Sequence, residues 1–295
     1  MHSPFSRFPV LLPIALVIIA MISIQSGASL AKSLFPVIGA EGTTALRLGI
    51  GALILCLLLR PWQAKLTLQS CRSLLAYGVA LGLMNLMFYM ALQTIPLGIA
   101  VALEFTGPLT LALLSSRRPI DFLWIALAAT GLWLLLPTNL TDEPLDPVGM
   151  ALALGAGACW AMYIIFGKRA GSEHGRHTVA LGTLVAAIVV IPIGLWQAGS
   201  NLFALDILPI AFGVAVLSSA LPYSLEMMAL TRLPARTFSI MMSLEPAIAA
   251  LAGLLFLTEH LSFSQWLAIS FIILASTGTA ATMKPQSPAQ PQDCG

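Results

Sequence analysis

The chain consists of long apolar stretches separated by short polar ones. A helix that crosses a bilayer needs about 20 mostly apolar residues, and ten windows of this kind follow one another along the sequence. They predict ten transmembrane helices, numbered here as spans 1 to 10: 11–32, 42–59, 73–93, 97–115, 120–137, 148–167, 178–196, 207–230, 238–257 and 265–283.

The polar segments between the spans are short: 60–72 has 13 residues, and the others, 168–177 among them, have ten or fewer. No segment is long enough to fold as a separate soluble domain, so any function must lie among the helices. Charged residues make up 9% of the chain and hydrophobic ones 58%, whereas a soluble domain is about 25% charged. The predicted fold class is an all-α integral membrane protein.

Basic residues predict the orientation of the spans. With the N-terminus inside, Lys32 and Arg47 fall near the outer ends of spans 1 and 2. The other twelve of the fourteen Lys and Arg residues lie on the inner side: Arg7, Arg60, Lys65, Arg72, Arg117, Arg118, Lys168, Arg169, Arg176, Arg232, Arg236 and Lys284. Positive charge concentrates on the cytoplasmic side of membrane proteins, so both termini are predicted inside. The net charge of +2 then reflects topology and predicts no nucleic-acid partner.

A weak internal repeat relates the two halves of the chain. A shift of 138 residues lays "ALQTIP" (91–96) on "ALTRLP" (229–234) and Pro108 on Pro246. Residues 9–137 and 148–283 are therefore predicted as two five-helix repeats, and residues 284–295 as a disordered cytoplasmic tail. Because five is odd, the second repeat enters the membrane from the opposite side. Inverted repeats of this kind are typical of secondary transporters, whose substrate sites lie between the repeats.

Three acidic residues interrupt apolar spans: Glu104 in span 4, Glu226 in span 8 and Glu245 in span 9. An ionisable residue at mid-membrane costs about 2.5 to 3.5 kcal/mol on insertion scales, so it persists where it has a partner, water or a function. Glu245 and Glu226, which fall toward the inner side, are the candidate proton-coupling residues. Glu104, in the outer half, is a candidate substrate ligand.

Polar residues at helical spacing predict which faces of the spans look inward. Span 8 carries Ser218, Ser219, Pro222, Tyr223 and Glu226 on one stripe, and spans 1 and 3 carry similar stripes. Together they predict a wet cavity between the repeats. The candidate substrate-binding residues are Glu104, Arg47, Lys32, Gln25, Asn85, Tyr89 and Tyr223.

Simpler roles remain open for several of these residues. Arg47 and Glu104 could form an interhelical salt bridge without touching substrate, and Lys32 could extend to the membrane surface as an anchor. His174 and His177 lack a third ligand, and the four cysteines are scattered, so neither a metal nor another cofactor is predicted. No catalytic motif such as HExxH or GxSxG is present, which argues against an enzyme. A passive channel stays open as an alternative.

Several segments carry a resemblance to a known family. "SIQSGASLAKSLFP" (23–36), "PLGIAVALEFTGPL" (96–109), "ALALGAGACWAMYI" (151–164) and "ALPYSLEMMALTRLP" (220–234) resemble the EamA branch of the drug/metabolite transporter superfamily, and the similarity runs from Pro9 to Thr282. "LLFLTEHLS" (254–262) resembles the glycine–glutamate ending of the family's repeat, with Thr258 in place of the glycine. No role for Glu259 is carried over.

The resemblance implies a multi-pass transporter in a bacterial inner membrane that exports small amino acids of the threonine and homoserine type by proton antiport. Its partners would be the amino acid, protons and the lipid bilayer, and a homodimer is left open. A zwitterionic substrate needs an acceptor such as Glu104 for its ammonium group and donors such as Arg47 for its carboxylate. Residue spacing does not exclude a sugar, a purine or a drug cation.

Overall fold

A computed structural model of the chain describes residues 8–64, 68–114, 119–135, 145–175, 177–230 and 241–282. Every regular element within these ranges is helical. The helices are numbered α1 to α10 after the predicted spans: α1 Phe8–Lys32, α2 Phe35–Leu59, α3 Leu68–Ala91, α4 Leu97–Leu114, α5 Asp121–Leu135, α6 Pro147–His174, α7 His177–Ala198, α8 Leu208–Ala215 and Leu221–Leu230 joined by the π-helical turn Val216–Ala220, α9 Glu245–Phe256 and α10 Phe263–Thr282. Short 3₁₀ turns lie at Pro61–Gln63 and Gly199–Phe203.

Each predicted span therefore contains a helix. Six helical segments, in α1, α2, α3, α6, α7 and α8, are long and apolar enough to cross a membrane, and the segments in α4, α5, α9 and α10 are shorter apolar helices. The helix α6 continues beyond predicted span 6, through the polar residues after Gly167 to His174. The apolar pattern missed this extension because hydropathy marks where the chain leaves the membrane and not where the helix ends. The predicted tail at 284–295 and the basic residues Arg117, Arg118, Arg232 and Arg236 lie outside the described residues.

Two helices contain breaks that the apolar pattern does not mark. The helix α2 begins at Phe35, before the predicted span, and kinks at Gly39, whose φ of 69° is accessible to glycine. The helix α9 begins at Glu245, with Pro246 in its first turn, whereas span 9 was predicted from residue 238. Proline suits a first helical turn because its missing N–H would have no partner there. Glu245 thus lies at the N-terminus of a helix.

The main helix packing joins the first half of the chain to the second. The helix α2 packs on α7, α3 on α6 and α7, and α5 on α10. The helix α4 lies against α6, α9 and α10, while α1 packs on α8 and α9. A hydrophobic core cluster accordingly draws residues from α1 to α4 and from α6, α8, α9 and α10.

Small residues let α4 approach its neighbours closely. A Cβ atom added to Gly107 would overlap the Gly157 carbonyl of α6, and one added to Gly98 would lie 2.6 Å from Cα of Ala250 in α9. Helix pairs in membranes rely on such small residues because van der Waals packing, and not hydrophobic burial, holds them together. These contacts fix the position of Glu104, which lies between Gly98 and Gly107 on α4.

Replacing Gly157 by alanine is expected to destabilise the protein by about 1 to 3 kcal/mol, the usual range for overpacking. The new Cβ would lie 2.5 Å from the backbone carbonyl oxygen of Glu104, which cannot rotate away. The matched control is Gly171→Ala on the same helix, where a Cβ meets nothing within 4 Å. Thermal unfolding in detergent should show a lower Tm for the first variant and an unchanged Tm for the second; equal values would contradict the close packing.

Candidate substrate and proton site

Arg47 is buried in the middle of α2, with 6% of its surface exposed. Its Nη2 donates to the backbone carbonyl oxygen of Ser218 at 2.8 Å, and its Nε donates to Oγ of Ser219 at 3.3 Å. Both acceptors lie in the π-helical turn of α8. The guanidinium group therefore joins the two halves of the chain through hydrogen bonds to one turn.

The π-helical turn supplies these acceptors because its backbone hydrogen bonds are shifted. Leu221 N–H donates to the Val216 carbonyl, five residues back, which leaves the Leu217 carbonyl to accept from Oγ of Ser23 at 2.7 Å. Pro222 has no N–H to donate to the Ser218 carbonyl four residues before it, so Arg47 takes that acceptor. Turns of this type are frequent at functional sites.

The ring of Tyr89 lies beneath Arg47, with the guanidinium carbon 5.1 Å from the ring centroid. This distance is within the range of a cation–π interaction. Tyr89 is fully buried, and Phe35 and Phe88 pack around its ring. Its hydroxyl group has no hydrogen-bond partner among the described residues, so it is available to a polar group of a ligand.

Glu104 lies on α4 with 7% of its surface exposed. The salt bridge between Glu104 and Arg47 that the sequence left open is not formed: within the described ranges, the ion pair closer than 4 Å is that between Lys32 and Glu259. Arg47 and Glu245 are nevertheless near enough to act on Glu104 electrostatically. A buried cation and a buried carboxyl group thus share one region without bonding to each other.

Glu245 begins α9 and is also buried. Its Oε1 accepts a hydrogen bond from Nε2 of Gln25 on α1 at 3.1 Å, and its Oε2 has no partner among the described residues. The Gln25 backbone carbonyl accepts from Oγ of Ser29 at 2.9 Å. The predicted stripe on α1 therefore faces α9, and it brings Gln25 to one of the two predicted proton-coupling acids.

Glu226 lies farther along α8 and is half-buried, and its buried Oε1 has no partner in the part of the chain that the structure describes. Glu245 is near enough to act on it electrostatically. Tyr223, one turn earlier, is near Arg47, Tyr89 and Glu226. The second segment of α8 thus brings Tyr223 near Arg47 and Glu226 near Glu245.

Two predicted residues have their polar groups engaged elsewhere. Nδ2 of Asn85 donates to the Leu81 carbonyl of its own helix at 2.8 Å. Nζ of Lys32 bonds Oε1 of Glu259 at 2.7 Å. Lys32 is therefore an ion-pair partner at the end of α1, and not a free anchor reaching into the headgroups.

Buried polar atoms without protein partners concentrate in this region. Of six such side-chain atoms in the described residues, five belong to the site, and the sixth is Nε2 of His174. The five are Gln25 Oε1, Tyr89 OH, Ser218 Oγ, Glu226 Oε1 and Glu245 Oε2. Buried polar groups are nearly always hydrogen-bonded in proteins, so a set of this kind is suited to the polar groups of a substrate and to protons.

Sequence reasoning missed three features of the site. The first is the Ser218 backbone carbonyl, for which Pro222 was the available signal. The second is the pair formed by Tyr77 and Tyr163, whose rings stack at 4.8 Å and whose hydroxyl groups lie 3.4 Å apart near Glu226. The third is Glu259, the partner of Lys32. The resemblance to the ending of the family's repeat drew attention to Glu259, but it assigned the residue no role.

A bundle of apolar helices around buried acidic, basic and phenolic groups is typical of a multi-pass membrane transporter. The sequence profile of the EamA-like transporter family matches residues 147–280. The chain is 56% identical to the threonine/homoserine exporter RhtA of Escherichia coli K12 over 287 residues, covering 97% of each chain. It is 59% identical to RhtA of Salmonella typhimurium LT2 over 278 residues, covering 94% of each. The chain belongs to the EamA-like transporter family.

A solved crystal structure has the same fold. It matches with a TM-score of 0.59 and 16% sequence identity, over 93% of this chain and 96% of that chain. Such low identity speaks for the fold alone. Together with the family and the apolar helices, it makes the chain a multi-pass protein of the bacterial inner membrane.

Proposed function

We propose that this chain exports small amino acids of the threonine and homoserine type from the cytoplasm. The main observation in support of this substrate class is that Arg47 and Glu104 are buried in one region without pairing with each other. A zwitterionic amino acid has a carboxylate for the first and an ammonium group for the second. Near full-length similarity to proteins named threonine/homoserine exporters supports this substrate class.

Arg47 can hold a substrate carboxylate while keeping its contacts with α8. A guanidinium group has five N–H donors in a planar fork, and the two bonds to Ser218 and Ser219 leave its Nη1 edge unused. Glu104 accepts from the ammonium group. The hydroxyl groups of Tyr89 and Ser218 are the candidate partners of the substrate's own hydroxyl group, because neither has a hydrogen-bond partner within the described ranges.

The helix pairing supports two inverted repeats at 9–137 and 148–283. If α1 to α5 correspond to α6 to α10, the pairs α2–α7, α4–α9 and α5–α10 each map onto themselves. The pair α3–α6 maps onto α8–α1, α4–α6 onto α9–α1, and α3–α7 onto α8–α2; all of these contacts occur. A two-fold relation of this kind fits ten spans with both termini in the cytoplasm, and alternating access around the shared site.

Glu245 and Glu226 are the proposed proton carriers of an antiport cycle. Within the described residues, each has a buried carboxyl oxygen without a protein partner, and Glu245 acts electrostatically on Glu226. Glu245 also acts on Glu104. A proton arriving at Glu245 would therefore weaken the negative field that helps Glu104 to hold an ammonium group, which links proton uptake to release of the amino acid.

Cells that overproduce this protein are expected to tolerate growth-inhibiting homoserine or threonine and to hold less of it inside. Export lowers the internal concentration of the inhibitor, so resistance and internal content should change together. The control is the Arg47→Met variant at matched membrane expression, which should give neither effect. Unchanged resistance and unchanged internal levels with the wild-type protein would refute the substrate assignment.

A further inference from the structure

The loop after α9 carries a carboxylate that contacts two other helices. Oε1 of Glu259 bonds Nζ of Lys32 at the end of α1, at 2.7 Å. Its Oε2 accepts from the backbone N–H of Leu97, the first residue of α4, at 2.8 Å. One side chain therefore holds the ends of α1, α4 and α9 together.

The backbone around Glu259 is shaped for this contact. Thr258 has a φ of 54°, in the left-handed region that favours glycine, and this conformation turns the chain so that Glu259 N–H donates to the Gly253 carbonyl at 3.1 Å. The carboxylate lies directly against Gly253, where any Cβ atom would overlap Oε2. A left-handed threonine costs about 1 to 2 kcal/mol, so the surrounding contacts hold Glu259 in place.

The contact also bears on the substrate site. Leu97 begins the helix that carries Glu104, and a carboxylate at a helix N-terminus satisfies free N–H groups and interacts favourably with the helix dipole. Lys32 ends the helix that carries Gln25, the partner of Glu245. In the proposed orientation these helix ends lie on the outer side, between the site and the exterior.

We propose that Glu259 is a positioning residue for export: with Lys32 and the N-terminus of α4 it forms a latch that keeps the outer side of the transporter closed and sets the position of Glu104. The amino acid can leave to the outside only when this latch opens. The inference depends on the proposed function only in assuming that the site opens alternately to the two sides.

Cys159 is a native reporter for opening. It lies on α6 with 6% of its surface exposed, and it is near enough to Glu104 to interact with it electrostatically. With Cys56, Cys71 and Cys294 replaced by alanine, it is the remaining one of the four thiols. A membrane-impermeant maleimide added to intact cells should reach Cys159 only through an open outer side.

Glu259→Gln retains an oxygen that can accept from Leu97 N–H but removes the charge that pairs with Lys32. We expect its initial rate of Cys159 labelling to rise about tenfold, the size expected when a partly buried charge-assisted hydrogen bond is lost. Lys32→Met should give a similar rise, and the double variant no more than either single one, because both changes remove the same bond. Lys32→Arg, which keeps the charge, should label close to the wild-type rate.

Lys168→Met is the matched control, since it makes the same chemical change at an exposed position on α6. It should leave the labelling rate unchanged.

Wild-type labelling in both Glu259→Gln and Lys32→Met, at normal expression, would overturn the latch. If Glu259→Gln fails to fold, Lys32→Met decides alone: a reduced apparent affinity for homoserine without faster labelling would place Lys32 in substrate binding and overturn the proposal. Labelling of Cys159 does not require transport, so the two proposals can fail separately. If homoserine is not the substrate, homoserine export will be absent, but the Glu259 and Lys32 variants will still change the labelling rate.

Discussion

Replacing Arg47 by methionine is expected to abolish transport, with a fall of about 100-fold or more in Vmax/KM. The change removes two charge-assisted hydrogen bonds worth about 1.5 to 3 kcal/mol each and leaves the Ser218 carbonyl without a donor. It also removes the proposed partner of the substrate carboxylate. Initial rates of homoserine export from loaded vesicles, at matched protein content, measure the effect.

The geometry further predicts that removing Glu104 does not rescue this variant. If Arg47 and Glu104 existed only to neutralise each other, the double change to methionine and glutamine should restore transport, because the damaging case is one buried charge left alone. The two groups are not bonded to each other, so we expect the double variant to be as inactive as either single one. Recovered transport in the double variant would remove both residues from the substrate site.

Arg60→Met is the matched control for this experiment. Arg60 follows the last residue of the same helix and is exposed, so the same chemical change there should leave export within about twofold of wild type, as for most surface substitutions. Arg47→Lys should be intermediate at best, because a lysine ammonium cannot reproduce the planar fork of a guanidinium group. A fully active Arg47→Lys variant would indicate that a point charge is enough at this position.

The sequence sufficed to predict a helix in each apolar window within the described residues, because each window is long and is separated from the next by polar residues. It could not predict the break before α9 or the extension of α6 to His174. Both depend on local backbone hydrogen bonding, to which hydropathy is insensitive. The α8 turn is a similar case: Pro222 predicts a freed carbonyl, but the shifted bond from Leu221 to Val216 cannot be read from residue types.

The composition of the candidate site was predictable, since few polar residues occur in apolar spans and each needs a reason to be there. Their partners were not. The contact of Arg47 with α8 requires Gly51 to let Ser219 approach, with a Cβ position only 3.2 Å from that of the serine. Lys32 and Glu259 are 227 residues apart, and both lie near predicted outer ends, where many pairings are equally compatible with the sequence. Tertiary packing determines which of these residues form pairs.

Glu245→Gln is expected to uncouple transport from protons while leaving substrate exchange largely intact. A glutamine keeps an oxygen that can accept from Nε2 of Gln25, so the contact between α9 and α1 should survive. It cannot take up or release a proton, however. Since Arg47 and Glu104 are unchanged, the substrate should still bind and cross in exchange for substrate on the other side.

Two assays on the same reconstituted vesicles separate these steps. One measures exchange of labelled homoserine for unlabelled homoserine, and the other measures its accumulation when a pH difference is imposed. We expect Glu245→Gln to retain exchange within about a few-fold of wild type but to lose concentrative uptake, as a variant without a titratable group should. Glu245→Asp, which keeps a carboxyl group, should recover part of the accumulation.

Glu173→Gln provides the matched control, because it makes the same chemical change at an exposed position near the end of α6. It should leave both exchange and accumulation unchanged. A Glu245→Gln protein that still concentrates homoserine under a pH gradient would show that the coupled proton binds elsewhere. Glu226, whose buried Oε1 also has no partner among the residues that the structure describes, would then be the residue to replace. The same pair of assays would decide whether the proton is carried from α8 instead of from the N-terminus of α9.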